Sequence, residues 1–399
     1  PSVGMVSTLN AEGLITDSAA ATTALATGNK TKNRFVSVAP DGKTPYKTLL
    51  EAAQEKGMAT GLVSSVSVVD ATPAAFAAHT KNRFDKDEIA LQYLNKNIDY
   101  IAGGGRESFI PETEEGSTRE DDRNLLKEFK DKGYTVVNNK KELLDVNTNA
   151  VDRLLALFSL SHMPFEIDKR YNKDINTPSL AEMVKVGIET LSKNEKGFFM
   201  LIEEGEIDYA GHINDIPTMI YQILELEKAV KVAYDFYKEH PEDTLIIVVA
   251  DHEIGGLVLG ADENYSINLE PIENVKASIY DDIYPKYRKN PKDIKGLLAY
   301  IEDKYSIKLS KGEKTQLENE LRKLSQEKFK RKCEEREAFG GIIGQILAKR
   351  INLGWASTGH TADDVPITAI GMDSQLFCGY MDNTDVAKKI AKAAGLSLE

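Results

Sequence analysis

Short apolar runs alternate with amphipathic helical patterns along most of this chain, and no other sequence feature constrains the fold as strongly. Five runs are too short for helices and predict buried strands: 59–64, 98–102, 198–202, 245–250 and 367–370. Between them, residues 45–56 and 180–191 have the periodicity of amphipathic helices. This order predicts an α/β fold in which a central, mostly parallel sheet is sandwiched between helices.

The stretch from residue 263 to residue 350 departs from this pattern, because charged residues become frequent and strand-like runs largely disappear. Ser310 and Glu313 have the spacing of a capping box, and an apolar stripe of leucines follows them. We therefore expect an α/β domain formed by residues 1–262 and 351–399, with a charged helical insertion or lid at 263–350.

Composition limits the classes of partner. The chain has 399 residues and a formal net charge of -13, which argues against nucleic acid as a structural partner because binding it requires a basic face. No apolar run approaches the roughly 20 residues that span a bilayer, so no membrane span is predicted. An anionic substrate would need local positive charge, which bound metal ions supply. Two cysteines, Cys333 and Cys378, leave a single disulfide open.

Glu203 and Asp251 directly follow predicted strands, and Asp70 follows a further apolar stretch at 66–69 whose pattern is weaker. Ligands of α/β proteins gather at the carboxyl ends of parallel strands. Acids at these positions can serve solubility alone, but three of them on one rim favour a metal site.

Ser18 begins an alanine-rich helical run and follows Asp17. At a helix N-terminus, free N–H groups and the positive end of the dipole favour a phosphate and stabilise an alkoxide developing on the serine. Asp and Ser are also ordinary capping residues, so capping alone explains this segment when it is taken in isolation.

Histidines and acids are paired at two places. Asp208 and His212 are four residues apart and face the same way on a helix, which suits zinc, although an exposed ion pair has the same spacing. Asp251 and His252 point in different directions, so we expect them to serve two neighbouring metals. His360 lies in a loop segment, Thr-Gly-His-Thr, just before the last predicted strand.

A further group of residues suits a hard cation and a phosphate. Asp70 and Thr72 offer a carboxylate and a hydroxyl to an ion such as magnesium. Arg83 offers a forked guanidinium to two phosphate oxygens. Taken alone, Arg83 is more simply interpreted as a surface arginine.

Together, these segments resemble the alkaline phosphatase family of the bacterial type in order, spacing and wording. The matching segments are Thr-Asp-Ser-Ala-Ala-Ala at 16–21, Asp-Ala-Thr-Pro-Ala-Ala at 70–75, Ile-Asp-Tyr-Ala-Gly-His at 207–212, Ala-Asp-His-Glu at 250–253 and Thr-Gly-His-Thr at 358–361. The resemblance implies hydrolysis of phosphate monoesters through a phosphoserine on Ser18.

The resemblance also implies two zinc ions and one magnesium ion. The first zinc ion would have three ligands: Asp208, His212 and His360. The second zinc ion would be held by Asp251 and His252 and would activate Ser18. Magnesium would be held by Thr72 and Glu203, with Asp70 acting through bound water. Arg83 would clamp the phosphate and would be oriented by Asp17.

The chain departs from the family pattern in two places. Glu204 stands where the family usually has glycine, and Glu203 is the expected ligand because it lies five residues before Asp208. Nothing in residues 1–16 matches the family's Gly-Asp-Gly strand, whose Asp bridges the second zinc and the magnesium. We therefore expect that this N-terminal strand is missing, that both sites lack one ligand, and that metal binding and hydrolysis are weak.

Other functions stay open at this point. A phosphodiesterase or phosphomutase of the same superfamily, and an inactive truncated chain, are the alternatives. Arg83 favours a monoesterase because a guanidinium suits a dianionic terminal phosphate. The expected small-molecule partners are phosphate monoesters and inorganic phosphate. The resemblance also leaves a homodimer open and implies a periplasmic or extracellular location.

Overall fold

The structure is a computed structural model that describes residues 1–263, 265–329 and 332–399. Within these ranges the strands are β1 Ser2–Ser7, β2 Ala59–Ser67, β3 Tyr100–Gly104, β4 Thr135–Val137, β5 Leu154–Leu157, β6 Phe198–Glu203, β7 Leu245–Val249, β8 Leu257–Leu259, β9 Leu353–Trp355, β10 Val365–Gly371 and β11 Gly379–Asp382.

The α-helices of the described ranges are α1 Ser18–Thr27, α2 Leu49–Glu55, α3 Ala71–Ala77, α4 Lys86–Lys96, α5 Leu125–Asp131, α6 Lys140–Leu144, α7 Glu166–Tyr171, α8 Leu180–Leu191, α9 Glu206–His212, α10 Ile216–Glu239, α11 Glu270–Glu273, α12 Tyr284–Lys289, α13 Ile294–Lys304, α14 Lys311–Leu324, α15 Lys332–Arg350 and α16 Asn383–Ala394. Short 3₁₀ turns lie at Arg106–Ser108, Thr148–Ala150 and Ser374–Phe377, and a π-helical turn lies at Ile279–Ile283.

The strands form two larger sheets. Five parallel strands pair in the order β4-β5-β3-β2-β6. Four strands pair in the order β11-β1-β10-β7, with β10 antiparallel to both of its neighbours. The predicted α/β class with a mostly parallel sheet is confirmed. The strands are divided between two sheets, however, where a single central sheet was expected, and β1 was not predicted.

The predicted elements are explained by local chemistry. All nine residues of β2 are buried, as expected for a strand in the middle of a parallel sheet with helices on its faces. Helix α8 has the predicted bounds and begins with a capping box formed by Ser179 and Glu182. Helix α2 begins at Leu49, four residues later than residue 45, because Thr48 and Glu51 form its capping box.

The facing edges of the two sheets are β6 and β7. A cavity of about 1540 Å³ lies there, lined by every residue of both strands and by side chains of α10 and α16. Neither strand is fully buried, and among the described residues β6 pairs with β2 alone and β7 pairs with β10 alone. Glu203 is the last residue of β6, and Asp251 follows the end of β7. The charge of Asp251 is close enough to raise the pKa of Glu203, so the carboxyl ends of both strands lie in one region.

Residues 263–350 are helical in their described part, and their two ends meet. Strand β8 precedes the segment and pairs antiparallel with β9, which follows it. The segment has its own apolar core, which continues into the body through Ala210 and Ile213. The predicted capping box of Ser310 and Glu313 is present at the start of α14.

Two further predictions concern single features. Cys333 and Cys378 are free and exposed, so no disulfide joins them. Among the described residues, every helix is too short or too polar to cross a membrane.

Candidate active site

Ser18 is the first residue of α1, and all ten residues of this helix are buried. Asp17 caps the helix, because its side chain accepts a hydrogen bond from the Ala20 amide at 3.0 Å. The hydroxyl of Ser18 lies 3.0 Å from Nε2 of His252. A serine is thereby fixed at a positive helix end with its hydroxyl next to an imidazole.

Three histidine rings are held by backbone carbonyls in the same manner. Nδ1 of His360 lies 2.7 Å from the Thr16 carbonyl, and Nδ1 of His212 lies 2.7 Å from the Thr358 carbonyl. Nδ1 of His252 lies 3.2 Å from the carbonyl of the next residue. Each ring therefore donates from Nδ1 and keeps the lone pair of Nε2 free, which is the state of a metal-binding histidine.

The free Nε2 atoms converge with two carboxylates. Nε2 of His360 lies 3.2 Å from Nε2 of His212 and 3.6 Å from Asp208. Asp208 is 3.4 Å from His212, as expected for two residues on one helical turn, and Asp251 is 3.3 Å from His252. Burial raises the pKa of the Asp208 carboxyl, but the attraction of the three histidines in their protonated forms, together with that of Arg83, outweighs burial and lowers this pKa.

Two loops that carry histidines are joined by backbone contacts. The Gly255 amide donates to the Gly359 carbonyl at 2.9 Å, and Ile254 forms a β-bridge with His360. Gly255 has a φ of +82°, and a Cβ there would lie 2.5 Å from the ring of Trp355. A glycine is therefore required for the tight turn that brings His252 next to His360.

A second group of oxygen ligands lies at the end of β6. Glu203 accepts a hydrogen bond from Ser64 at 2.5 Å and another from Thr72. Burial, together with Asp70 and Asp251 nearby, raises the pKa of Glu203 to about 8. Glu204 points elsewhere, because its carboxylate accepts from Ser65 at 2.6 Å and from Gln222 at 3.0 Å.

Arg83 lies between two carboxylates. Nη1 donates to Asp17 at 3.3 Å and Nη2 donates to Asp70 at 3.2 Å. Burial acts against the charges of this cluster, but the attraction between Asp70 and Arg83 lowers the pKa of the carboxyl and raises that of the guanidinium. Nε of Arg83 is buried without a hydrogen-bond partner in the described structure. A charged guanidinium is thus fixed near Ser18, since Arg83 pairs with Asp17, the residue before Ser18, and both Ser18 and Arg83 line the same cavity.

The donor set fits divalent metal ions. In the described part of the chain, one group of three possible ligands converges within 4.8 Å: Asp208, His252 and His360. Oδ1 of Asp208 is buried and has no hydrogen-bond partner there, which is costly unless a cation balances it. Imidazole nitrogens with carboxylate oxygens suit zinc, while the all-oxygen group around Glu203 suits a harder ion.

Two residues next to the site, Glu206 and His162, were not assigned a role from the sequence, and they lie beside Tyr209. Tyr209 donates to Asp70 at 3.0 Å, and its ring stacks on His162 at 5.7 Å between centroids. Glu206 is 1% exposed and lies 3.1 Å from Nδ1 of His162. The spacing of His162 is unlike that of a metal ligand, so no pattern marked it; only the folded arrangement brings it next to α9.

Comparison with known proteins agrees with this site. The Alkaline phosphatase family profile matches residues 1–396. Alkaline phosphatase 3 of Bacillus subtilis is 37% identical over 385 residues, which cover 95% of this chain and 77% of the relative. The crystal structure of Thermus thermophilus alkaline phosphatase has a TM-score of 0.86 and 30% identity, covering 99% of this chain and 83% of that one. The cold-active alkaline phosphatase of a psychrophilic Shewanella has a TM-score of 0.81 and 32% identity, covering 98% and 89%.

Fold, site and relatives together define a class of enzyme, the phosphoric monoester hydrolases. Within this class, the chain belongs to the alkaline phosphatase family.

Proposed function

We propose that this chain hydrolyses phosphate monoesters through a phosphoserine on Ser18, with two zinc ions and one magnesium ion at the site. The contact between the Ser18 hydroxyl and Nε2 of His252, 3.0 Å at the N-terminus of a buried helix, carries the proposal. It supports the proposal because an oxygen nucleophile on Ser18 would lie at both the helix end and the cluster of imidazoles and carboxylates.

The ligand sets are those that membership of the alkaline phosphatase family implies, and the distances between these side chains are compatible with them. Asp208, His212 and His360 would hold one zinc ion, and Asp251 with His252 would hold the other. Glu203 and Thr72 would hold magnesium, with Asp70 acting through water. The bound ions supply Lewis acidity and positive charge, which lower the pKa of a hydroxyl and stabilise developing negative charge.

The protein groups have separate tasks in the reaction. The Ser18 oxygen loses its proton and bonds to phosphorus while the ester oxygen leaves as the alcohol. Water then attacks the phosphoserine, the Ser18–phosphorus bond breaks, and inorganic phosphate is released. Arg83 binds two nonbridging oxygens throughout, and Asp17 with Asp70 fixes its guanidinium.

Acid quenching during turnover of p-nitrophenyl phosphate tests the nucleophile. Mass spectrometry should find one phosphate on the peptide that contains Ser18. Ser18→Ala should carry none, and Ser325→Ala, a change at the exposed serine that follows α14, should label as the parent protein does. A phosphate on another residue would refute the assignment.

Turnover of the bis ester tests the substrate class. A guanidinium next to the nucleophile suits a dianionic phosphate, so the monoester should be preferred over bis-p-nitrophenyl phosphate. A preference for the diester would assign the chain to a phosphodiesterase activity.

We further infer a periplasmic or extracellular location and a homodimer from family membership. Cell fractionation tests the location and sedimentation tests the homodimer; a cytoplasmic monomer would contradict both.

A further inference from the structure

His162 lies in the segment between β5 and α7, and it contacts acids from two other parts of the molecule. Its Nδ1 is 3.1 Å from Glu206, the first residue of α9. Its Nε2 is 3.7 Å from Asp281, in the π-helical turn of residues 263–350. The imidazole of His162 thus links its own segment to helix α9, which carries Asp208 and His212, and to the helical insertion.

The surroundings of His162 favour its charged form. Both oxygens of Glu206 accept hydrogen bonds, one from Nδ1 of His162, which also contacts the Met163 carbonyl at 2.8 Å, and one from Gln222 at 2.8 Å. Burial raises the pKa of Glu206 well above its ordinary value, and the hydrogen bond and the charge of His162 act against that rise. Burial acts against the charge of His162, but the hydrogen bond to Glu206 and the attraction of Asp281 raise its pKa to about 9. Aromatic rings of Tyr209 and Tyr280 pack on the cation.

A continuous set of contacts leads from His162 to the site. The His162 ring stacks on Tyr209 with an interplanar angle of 28°. The Tyr209 hydroxyl donates to Oδ2 of Asp70 at 3.0 Å, and Oδ1 of the same carboxylate accepts from Arg83 at 3.2 Å. Asp70 is therefore oriented from one side by Tyr209 and holds Arg83 with the other.

The insertion reaches the same rings. Tyr280 packs edge-on against Tyr209 at 5.7 Å and against His162 at 5.1 Å. The guanidinium of Arg336, on α15, lies 3.8 Å from the centre of the Tyr280 ring. A displacement of the insertion would therefore act on Tyr209 in two ways. It would change the aromatic contact between Tyr280 and Tyr209, and it would change the ion pair between Asp281 and His162, whose ring stacks on Tyr209.

We propose that His162 is a positioning residue for phosphate binding, which acts on Arg83 through Tyr209 and Asp70 and is itself held by Asp281 of the insertion. The inference rests on the proposed role of Arg83 in binding phosphate. It assigns the insertion a function in tuning the affinity of the site for phosphate, without contact between the insertion and the substrate.

Inorganic phosphate is the probe, and the metal-loaded enzyme is the material. In His162→Phe, which keeps a ring but loses the charge and the Nδ1 donor, phosphate affinity measured by calorimetry should fall about fivefold. KM for p-nitrophenyl phosphate should rise with it while kcat changes less than twofold. His162→Gln, which keeps a donor for Glu206, should restore part of the affinity. His240→Phe, at the exposed end of α10, is the matched control and should change nothing.

A double-mutant cycle separates positioning from a general loss of stability. If His162 acts through Tyr209, the combination of His162→Phe with Tyr209→Phe should weaken phosphate binding no more than Tyr209→Phe alone. Additive effects, or a lower melting temperature with unchanged phosphate affinity in both His162 variants, would overturn the proposal. Asp281→Asn should also weaken phosphate binding, but by less than His162→Phe does. If Asp281→Asn leaves phosphate affinity unchanged, the proposed role of the insertion is wrong.

The Arg83→Lys variant distinguishes a failure of the proposed role of Arg83 from a failure of the proposed role of His162. If it leaves phosphate affinity unchanged, the proposed role of Arg83 is wrong, and the proposal for His162 is wrong with it. If it weakens phosphate binding while the His162 variants do not, only the proposal for His162 is wrong.

Discussion

The body of the molecule and the insertion are stabilised in different ways. In the body, residues 1–262 and 351–399, apolar strands and helices such as α1 carry the site residues at their ends. The insertion, residues 263–350, is attached through an apolar core that it shares with the body and through buried carboxylates: Asp168 accepts from Ser278 and Asp215 accepts from the Ile279 amide. The attachment of the insertion therefore depends in part on groups that titrate, and burial raises the pKa of one of them, Asp168.

This comparison predicts that removing the nucleophile affects activity alone. Ser18→Ala should lower kcat by about 1000-fold or more. Its free energy of unfolding should change by less than about 1 kcal/mol, because alanine suits the first turn of α1 and Asp17 still caps it. Steady-state kinetics and urea unfolding check the two halves. An Ala variant that keeps a tenth of the activity would show that another group attacks phosphorus.

Metal removal should likewise affect the site in the body and leave the insertion unchanged. Chelation should abolish turnover, and hydrogen exchange of the insertion should stay unchanged, because its anchors are not ligand candidates. On re-addition, the first zinc site should fill before the magnesium site, because Asp208, His212 and His360 would all bind that zinc directly, whereas magnesium would have two direct protein ligands, Glu203 and Thr72. His360→Ala should weaken zinc binding by about tenfold or more, measured by competition with a chromophoric chelator. A single affinity for all ions, all tight, would contradict this order.

The opposite result, a loss of stability, is expected when an anchor of the insertion is removed. Asp215 is fully buried, and one oxygen accepts from both the Ile279 amide and the Thr218 hydroxyl at 2.7 Å. Asp215→Ala should destabilise the protein by about 3 kcal/mol, since buried donors lose their acceptor. Hydrogen exchange should accelerate first in residues 279–283. Asp235→Ala, a half-exposed acid on α10 that pairs with Lys231 and Lys238, is the control and should cost much less than Asp215→Ala.

The pH dependence of the insertion should have a defined sign. Burial, with Asp281 and Asp282 nearby, raises the pKa of Asp168 to about 7 from an ordinary value of 3.8. The folded state therefore binds a proton more tightly, so this group stabilises folding at low pH, and its contribution is lost as pH rises from about 4 to 7. Asp168→Asn should flatten the dependence of unfolding free energy on pH over that range. An unchanged slope would mean that Asp168 is ionised throughout.

The smallest effects are expected at the cysteines, one in each region. Cys333 and Cys378 are both exposed and free, so replacing both by serine should change stability by less than about 0.5 kcal/mol. A thiol reagent should titrate two groups in the native protein. Fewer reactive thiols, or a marked loss of stability, would indicate a contact that the structure does not contain.

The sequence predicted the strands and the residues at their ends because both depend on local pattern. The run at 198–202 is apolar, and Glu203 follows it directly. Burial of β6 and β7 was overestimated, since both strands border the cavity and their edges there have no strand partner in the described structure. Periodicity reports which residues are apolar, and it does not report whether a neighbouring strand is present.

Long-range polar contacts were outside the reach of sequence patterns. His162 and Glu206 are 44 residues apart, and neither stands in a recognisable motif. The capping box at Ser310 was found because its two residues lie three positions apart and bond to each other. Assignments to individual metal ions remain predictions.

Helix α1 has a consequence for the variation that this enzyme can tolerate. Its ten residues are almost all alanine and threonine, and all are buried against neighbours that include α3 and α16. Any larger side chain would displace the helix and therefore the nucleophile at its first position. In a saturation library selected for activity, positions 19–24 and 26–27 should accept little beyond alanine, glycine, serine and threonine, although none of these side chains is assigned to the chemistry. Neutral drift in such a protein should be concentrated far from α1, on the exposed faces of the insertion.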